Sequence, residues 1–416
     1  GREPSVLNRR IGRLDMEKKL NFLYSSVHGA YWVYYGVISS FSSVFLLARG
    51  FSNSQIGIII ALANILAVII QPYLADYVDR SRRTAIFSVM ASMCIALVLF
   101  TNIILVAKNH VVLGVFYVAA FMLQSVMQPF CNGLNRVLED GGNKIYFGFC
   151  RSIGSLVYSI VVVALGYMVD SYTVDIIPKA GILTTLVLLI VVWFSYRAHR
   201  QNTLMAGEKH VEHEVPAEKI NLRAFLKDHR MFFMVNLGVL GLYVGNATVN
   251  TFMAQIVRAV GGNNGEVGLV LSVLAFLEVP AMMTFDKYSK RIQCSTLLKF
   301  SAVVFCIWLV GCTLSPNVTM LLIVQLTQLC SLAVFLPAMV KYIDENMRKG
   351  EEIKGHMLFT TMTTTAGVVT SLMGGFILDI FSAKILLCAS STLTIIGAIF
   401  IFMYIDKATE ENKERD

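Results

Sequence analysis

The chain has 416 residues, 56% hydrophobic and only 15% charged, with 26 Phe, 19 Met and a formal net charge of +8; its mean hydropathy is +0.65. That balance excludes a water-soluble enzyme, a disordered chain and a disulfide scaffold. Lys and Arg fall in short clusters between apolar runs rather than on one soluble face, so the positive charge reports membrane topology and not nucleic acid.

A bilayer core about 30 Å thick takes a helix of about 20 apolar residues. Residues 1–21 are polar and basic, without an apolar core before a small-residue cleavage site, so a cytoplasmic N-terminal segment and no signal peptide is expected. Apolar runs then place spans at about 22–48, 55–78, 84–107, 111–138, 146–169, 175–197, 231–257, 265–286, 293–315, 318–345, 354–380 and 383–405. Six make a bundle over 22–199 and six a second over 229–405. The polar stretch 200–228, with Gly207, His210, His213 and Pro216, is a cytoplasmic linker, and 406–416 a cytoplasmic tail. The expected fold class is an all-α membrane protein of twelve transmembrane helices in two pseudo-symmetric six-helix bundles.

Charge orients this arrangement. About 27 of the 35 Lys and Arg lie on the side holding both termini and the loops after even-numbered spans, against five on the other (Arg49, Lys108, Lys179, Arg258 and Lys384). The positive-inside rule therefore puts both termini in the cytoplasm. The eight Cys form no CxxC pair and lie mostly in apolar runs, so neither a metal site nor a redox motif is expected. No nucleophile elbow or phosphate loop occurs, and neither an enzyme nor a cofactor is expected.

The halves resemble each other. Ser54-Gln55-Ile56-Gly57 opens the second span as Gly265-Glu266-Val267-Gly268 opens the eighth, and both spans end in acids followed by bases: Asp76, Asp79, Arg80, Arg82, Arg83 and Asp286, Lys287, Lys290, Arg291. Such internal duplication is the signature of secondary transporters working about a midplane site.

Ionisable groups at bilayer depth are costly and usually face a cavity. Two sit mid-span in opposite halves, Arg151 and Glu278. A guanidinium fork suits vicinal hydroxyls or a carboxylate; a Glu accepts hydrogen bonds when ionised and donates one when protonated, so it can grip a ligand and carry a proton. Amides recur at helical spacing: Gln124, Gln128, Asn132 and Asn135 in the fourth span, Tyr243, Asn246 and Asn250 in the seventh, Gln325, Gln328 and Ser331 in the tenth. These faces predict a polar cavity, although amides also join membrane helices. In the first span Trp32, Tyr35 and Ser39 could line it; His28 lies too near the cytoplasmic end to be assigned a coupling role. The Thr360–Thr365 run, Gly367 and Gly374-Gly375 predict close helix packing.

The run from Gly57 through Gln71-Pro72 to Asp79-Arg80-Ser81-Arg82-Arg83 resembles the second span and conformational loop motif of major facilitator superfamily transporters, most similar to the lactose permease group of sugar:proton symporters. Phe147-Gly148-Phe149-Cys150-Arg151 is similar to the segment carrying that group's sugar-binding Arg, Tyr158 takes its sugar-stacking aromatic position, and Leu277-Glu278-Val279-Pro280 is similar to the segment with its binding-site Glu. Leu336-Pro337 to Lys341-Tyr342-Ile343 resembles the end of its tenth span. The group's second sugar-binding Glu is replaced by Asn132, its coupling His and Glu by Gln328 and Ser331, and its ninth-span Arg by Trp308.

The resemblance implies a major facilitator fold working by alternating access. The expected function is proton-coupled import of a small polyhydroxylated solute such as a sugar, oligosaccharide or glycoside, by a monomer in the cell membrane. A nucleoside:proton symporter and an uncoupled sugar facilitator are the alternatives, with a non-transporting sensor behind them. Substrate-binding candidates are Arg151, Glu278, Asn132, Tyr158, Gln128, Gln328, Asn246 and Trp32, with Glu278 also the proton carrier.

Overall fold

The computed structural model describes residues 6–81, 84–139, 142–206, 225, 228–347 and 351–413. In chain order the helices are α1 (Val6–Tyr35), α2 (Ser42–Ala48), α3 (Asn53–Arg80), α4 (Ala85–Val106), α5 (His110–Leu138), α6 (Phe147–Ser171), α7 (Ile176–Ala206), α8 (Arg230–Thr251), α9 (Met253–Ala259), α10 (Asn264–Tyr288), α11 (Cys294–Leu314), α12 (Val318–Gln325), α13 (Leu332–Asn346), α14 (Glu352–Ile380) and α15 (Ala383–Lys413). No strand occurs among the described residues. In hydrocarbon every backbone N–H and C=O must be satisfied within its own segment, which the helix alone does for a single span.

Among the described residues nine of these helices, and α12 with α13 taken together through their break, make ten stretches long and apolar enough to cross a membrane, or eleven if the first span, bent by 43° between Asp15–Ser40 and Ser42–Ala48, is counted. The expected eighth span is helical over Asn264–Tyr288 but is not among them. Large apolar side chains such as Ile160, 64% exposed, and Phe376, 60% exposed, cover the outer surface, where a soluble protein would expose polar ones. The 200–228 linker lies largely outside the described residues, and most of the expected tail continues α15 as helix.

Three breaks interrupt the expected spans: the seventh, expected over 231–257, divides at Phe252 into α8 and α9, and two others change helix type. A π-turn at Gly36–Ser40 separates α1 from α2, and a 3₁₀ turn at Leu326–Cys330 separates α12 from α13. Helix starts are fixed locally: Asn109 accepts from the Val111 N–H at 2.8 Å, Asn317 from Met320, and Asn263 forms a reciprocal capping box with Glu266.

The chain divides into two compact units, one from Gly1–Ser39, Ala63–Val161 and Asp175–Val215, the other from Ser40–Leu62, Val162–Val174 and Pro216–Asp416. In the second unit α8 and α15 meet along a seam of small residues. A Cβ on Gly241 would stand 2.6 Å from the Leu393 carbonyl oxygen, and one on Gly238 2.7 Å from that of Gly397, so only glycine permits this approach. Of the glycines expected to pack closely on α14, Gly374 abuts Phe252 and Gly375 the Asn53 carbonyl, whereas Gly367 has nothing within 4 Å. A glycine pattern marks where helices can approach, and the neighbouring backbone decides where they do.

Candidate functional site

In the first unit α1 and α6 build a cationic, aromatic wall. Gly154 lets them meet: a Cβ there would come within 2.8 Å of the Trp32 ring and 3.1 Å of the His28 Cβ. One turn away, the Arg151 guanidinium carbon lies 3.9 Å from the centre of the Trp32 ring, and its Nη1 donates to Ser155 Oγ at 2.8 Å. The aromatic row continues from Trp32 to Tyr35 at 5.0 Å and from Tyr35 to Tyr158 at 6.3 Å between ring centroids. A fixed cation ends a row of ring faces, and such a surface takes a ligand with a flat or apolar face and oxygens at its edge.

His28 belongs to this wall. It is fully buried against Tyr24, at 4.7 Å, and Phe147, at 6.0 Å, and neither ring nitrogen has a hydrogen-bond partner. The packing of Gly154 puts it beside the Arg151 turn, one turn into α6.

The fourth-span amides split. Gln128, Asn132 and Asn135 are half-buried; the backbone carbonyl of Asn132, not its side chain, accepts from the Tyr24 hydroxyl at 3.0 Å. Gln124, 1% exposed, donates to the Tyr31 hydroxyl at 2.8 Å and accepts from Ser39 Oγ at 2.5 Å. Both groups expected to face a cavity, Gln124 and Ser39, tie α5 to the first span instead.

In the second unit Glu278 is half-buried near the middle of α10 (Asn264–Tyr288). Tyr243 is held edge-on by Phe335 and Phe359, and Asn246 accepts from Asn250 Nδ2 through its backbone oxygen at 3.0 Å and its side chain at 3.1 Å. Of the tenth-span amides, Gln325 is fully buried and accepts from the Trp308 indole N–H at 2.9 Å. Gln328 is also buried and accepts from Ser331 Oγ at 2.9 Å inside the 3₁₀ break. Trp308 is a core residue.

At the loop motif Arg80 Nε donates to Asp76 at 2.8 Å on the exposed end of α3. The Asp79 side chain, Arg82 and Arg83 lie outside the described residues. No group of three His, Cys, Asp or Glu able to hold a metal occurs among the described residues.

Long apolar helices, glycine seams and an ionisable group held on aromatic rings make a multi-pass membrane protein, and its likeness to known proteins makes it a transporter of the major facilitator type. The model of the MFS_1 like family matches residues 24–389, and the chain belongs to that family. It is 20% identical over 374 residues to the uncharacterized transporter YwbF of Bacillus subtilis (strain 168), covering 87% of each chain. Among solved structures it is similar to the nucleoside transporter NupG, with a TM-score of 0.75 at 12% identity over 94% of this chain and 99% of that one. It is also similar to a bacterial homologue of the iron transporter ferroportin in an inward-facing state, with a TM-score of 0.67 at 14% identity over 94% and 98%.

Proposed function

We propose that the protein imports a small polyhydroxylated solute, a sugar, oligosaccharide or glycoside, by alternating access coupled to protons. In this reading it works as a monomer in the cell membrane with both termini cytoplasmic. The observation that carries the reading is the Arg151 guanidinium held on the Trp32 face, in line with Tyr35 and Tyr158. Pyranose rings offer an apolar face to aromatics and an edge of hydroxyls to a guanidinium fork. Asn132 and Gln128 supply further donors and acceptors in the same unit; Asn246 and Gln328 are the candidates in the other.

Glu278 is the proposed proton carrier. Asp76, Asp79 and Asp286 belong to span ends at the cytoplasmic loops, and Glu139 and Asp140 end the fourth span, which leaves Glu278 as the mid-span acid.

A nucleoside is the second reading. The same row of rings would stack a base, the amides would meet its edge and the ribose, and NupG, a nucleoside transporter, shares the fold.

Thermal stability of the purified protein against sugars, glycosides and nucleosides tests both, because a ligand bound to the folded state raises its melting temperature. A sugar-induced rise that disappears in Arg151→Ala supports the first reading. Nucleoside-induced rises alone favour the second, and a sugar effect indifferent to Arg151 overturns the assignment of the site.

A further inference from the structure

Two exposed carboxylates hold two different helix starts in the same way. Asp379, at the end of α14, accepts from the Asn53 backbone N–H at 2.9 Å, the Asn53 side-chain amide at 3.0 Å and the Ser54 N–H at 2.8 Å. Asp170, at the end of α6, accepts from the Asn264 N–H at 3.3 Å, its side-chain amide at 2.8 Å and the Gly265 N–H at 2.7 Å. The aspartates and the asparagines they hold are each about 210 residues apart, the period of the internal duplication. Asn53 and Asn264 open α3 and α10, where the first N–H groups have no partner within the helix and the dipole favours negative charge.

The backbones behind these bonds touch. A Cβ on Gly375 or Gly166 would fall into the carbonyl of Asn53 or Asn264; one on Gly57 or Gly268 would fall into that of Ser371 or Val162. The short helix α9 reaches both places: Gln255 Nε2 donates to Asn53 Oδ1 at 2.9 Å, and Arg258 Nη2 donates to Asn264 Oδ1 at 3.0 Å. All of these residues lie in the second compact unit.

We propose that Asp170 and Asp379 are positioning residues of a single closure device: together they hold shut the span ends opposite the chain termini, with α9 coupling one aspartate's hold to the other's. Losing Asp379 frees Asn53, Gln255 then loses its acceptor, and α9 no longer braces Arg258 against Asn264. Opening on that side requires both sets of bonds to break, so the two ends open as one. The device rests on the transporter fold and not on the identity of the substrate.

Hydrogen–deuterium exchange of the full-length protein in nanodiscs, without any substrate, tests this. First-turn amides are ordinarily unprotected, so slow exchange at residues 53–54 and 264–265 reports the carboxylate bonds. Asp379→Ala is expected to accelerate exchange by about tenfold or more at its own partner, and to accelerate it at 264–265 as well; Asp170→Ala should do the reciprocal. Acceleration confined to the directly bonded segment, or at neither, overturns the proposal. Exchange in α11, which holds Trp308 in the core, reports overall folding; should Asp379→Ala raise it there, Asp379→Asn, which keeps an amide oxygen to accept one bond, is judged by the same criterion at both segments. Because no ligand enters, failure here is distinct from failure of the sugar or nucleoside reading.

Discussion

The guanidinium carbon of Arg151 lies over the Trp32 ring, 3.9 Å from its centre, and this contact suits arginine. A planar, weakly hydrated cation stacks on the ring while its edge still donates; a lysine ammonium is a hydrated point charge that does one or the other. Arg151→Lys is therefore expected to weaken binding of whichever solute stabilises the wild type by about 1–2 kcal/mol, and Trp32→Leu by a similar amount. Dissociation constants from titration calorimetry check both, and wild-type affinity in Arg151→Lys would rule out the stacked fork as the binding element.

Glu278→Gln keeps the size and shape of the side chain and removes its titratable proton. Uptake against a gradient driven by an imposed pH difference should disappear, while counterflow exchange of the same solute in proteoliposomes should persist. Retained accumulation in this variant would take proton coupling away from Glu278.

The buried Trp308–Gln325 hydrogen bond yields a stability prediction. Trp308→Phe leaves the Gln325 oxygen without that donor in a fully buried place, at a cost of about 1–3 kcal/mol. Adding Gln325→Met should recover part of the loss, because two apolar partners need no bond. Thermal unfolding of the single and double variants measures it; an equal or larger loss in the double variant would mean the bond matters less than the packing.

Glycines that look alike in sequence should behave differently. Gly57→Ala and Gly268→Ala push a methyl into the carbonyls of Ser371 and Val162, whereas at Gly367 nothing lies within 4 Å. Overpacking of this kind costs about 1–3 kcal/mol, so the first two should lower the melting temperature and Gly367→Ala should leave it unchanged or raise it slightly.

Much of the architecture was legible in the amino-acid sequence because the bilayer imposes a length and a polarity that any span must meet. Apolar run lengths locate the membrane helices, and the excess of charge at Arg151 and Glu278 stands out against them. The repeat of Gln55-Ile56-Gly57 in Glu266-Val267-Gly268 already signals duplicated halves, and in the structure Gly57 and Gly268 make the same backbone contact. Helical spacing also shows which side chains share a face, such as Gln124 with Gln128 and Asn132. It carries no information about what that face meets. Only the packing decides that Gln124 is consumed by Tyr31 and Ser39 and Gln325 by Trp308, and that His28 sits beside the Arg151 turn of α6. Asp170 and Asp379 illustrate the same limit: each is an ordinary exposed acid at a span end, and its role exists because folding carries it to a helix start 94 or 326 residues away. Composition and periodicity are local properties and settle the elements; a hydrogen bond across such a separation depends on where the whole chain has gone, and only the tertiary structure decides it.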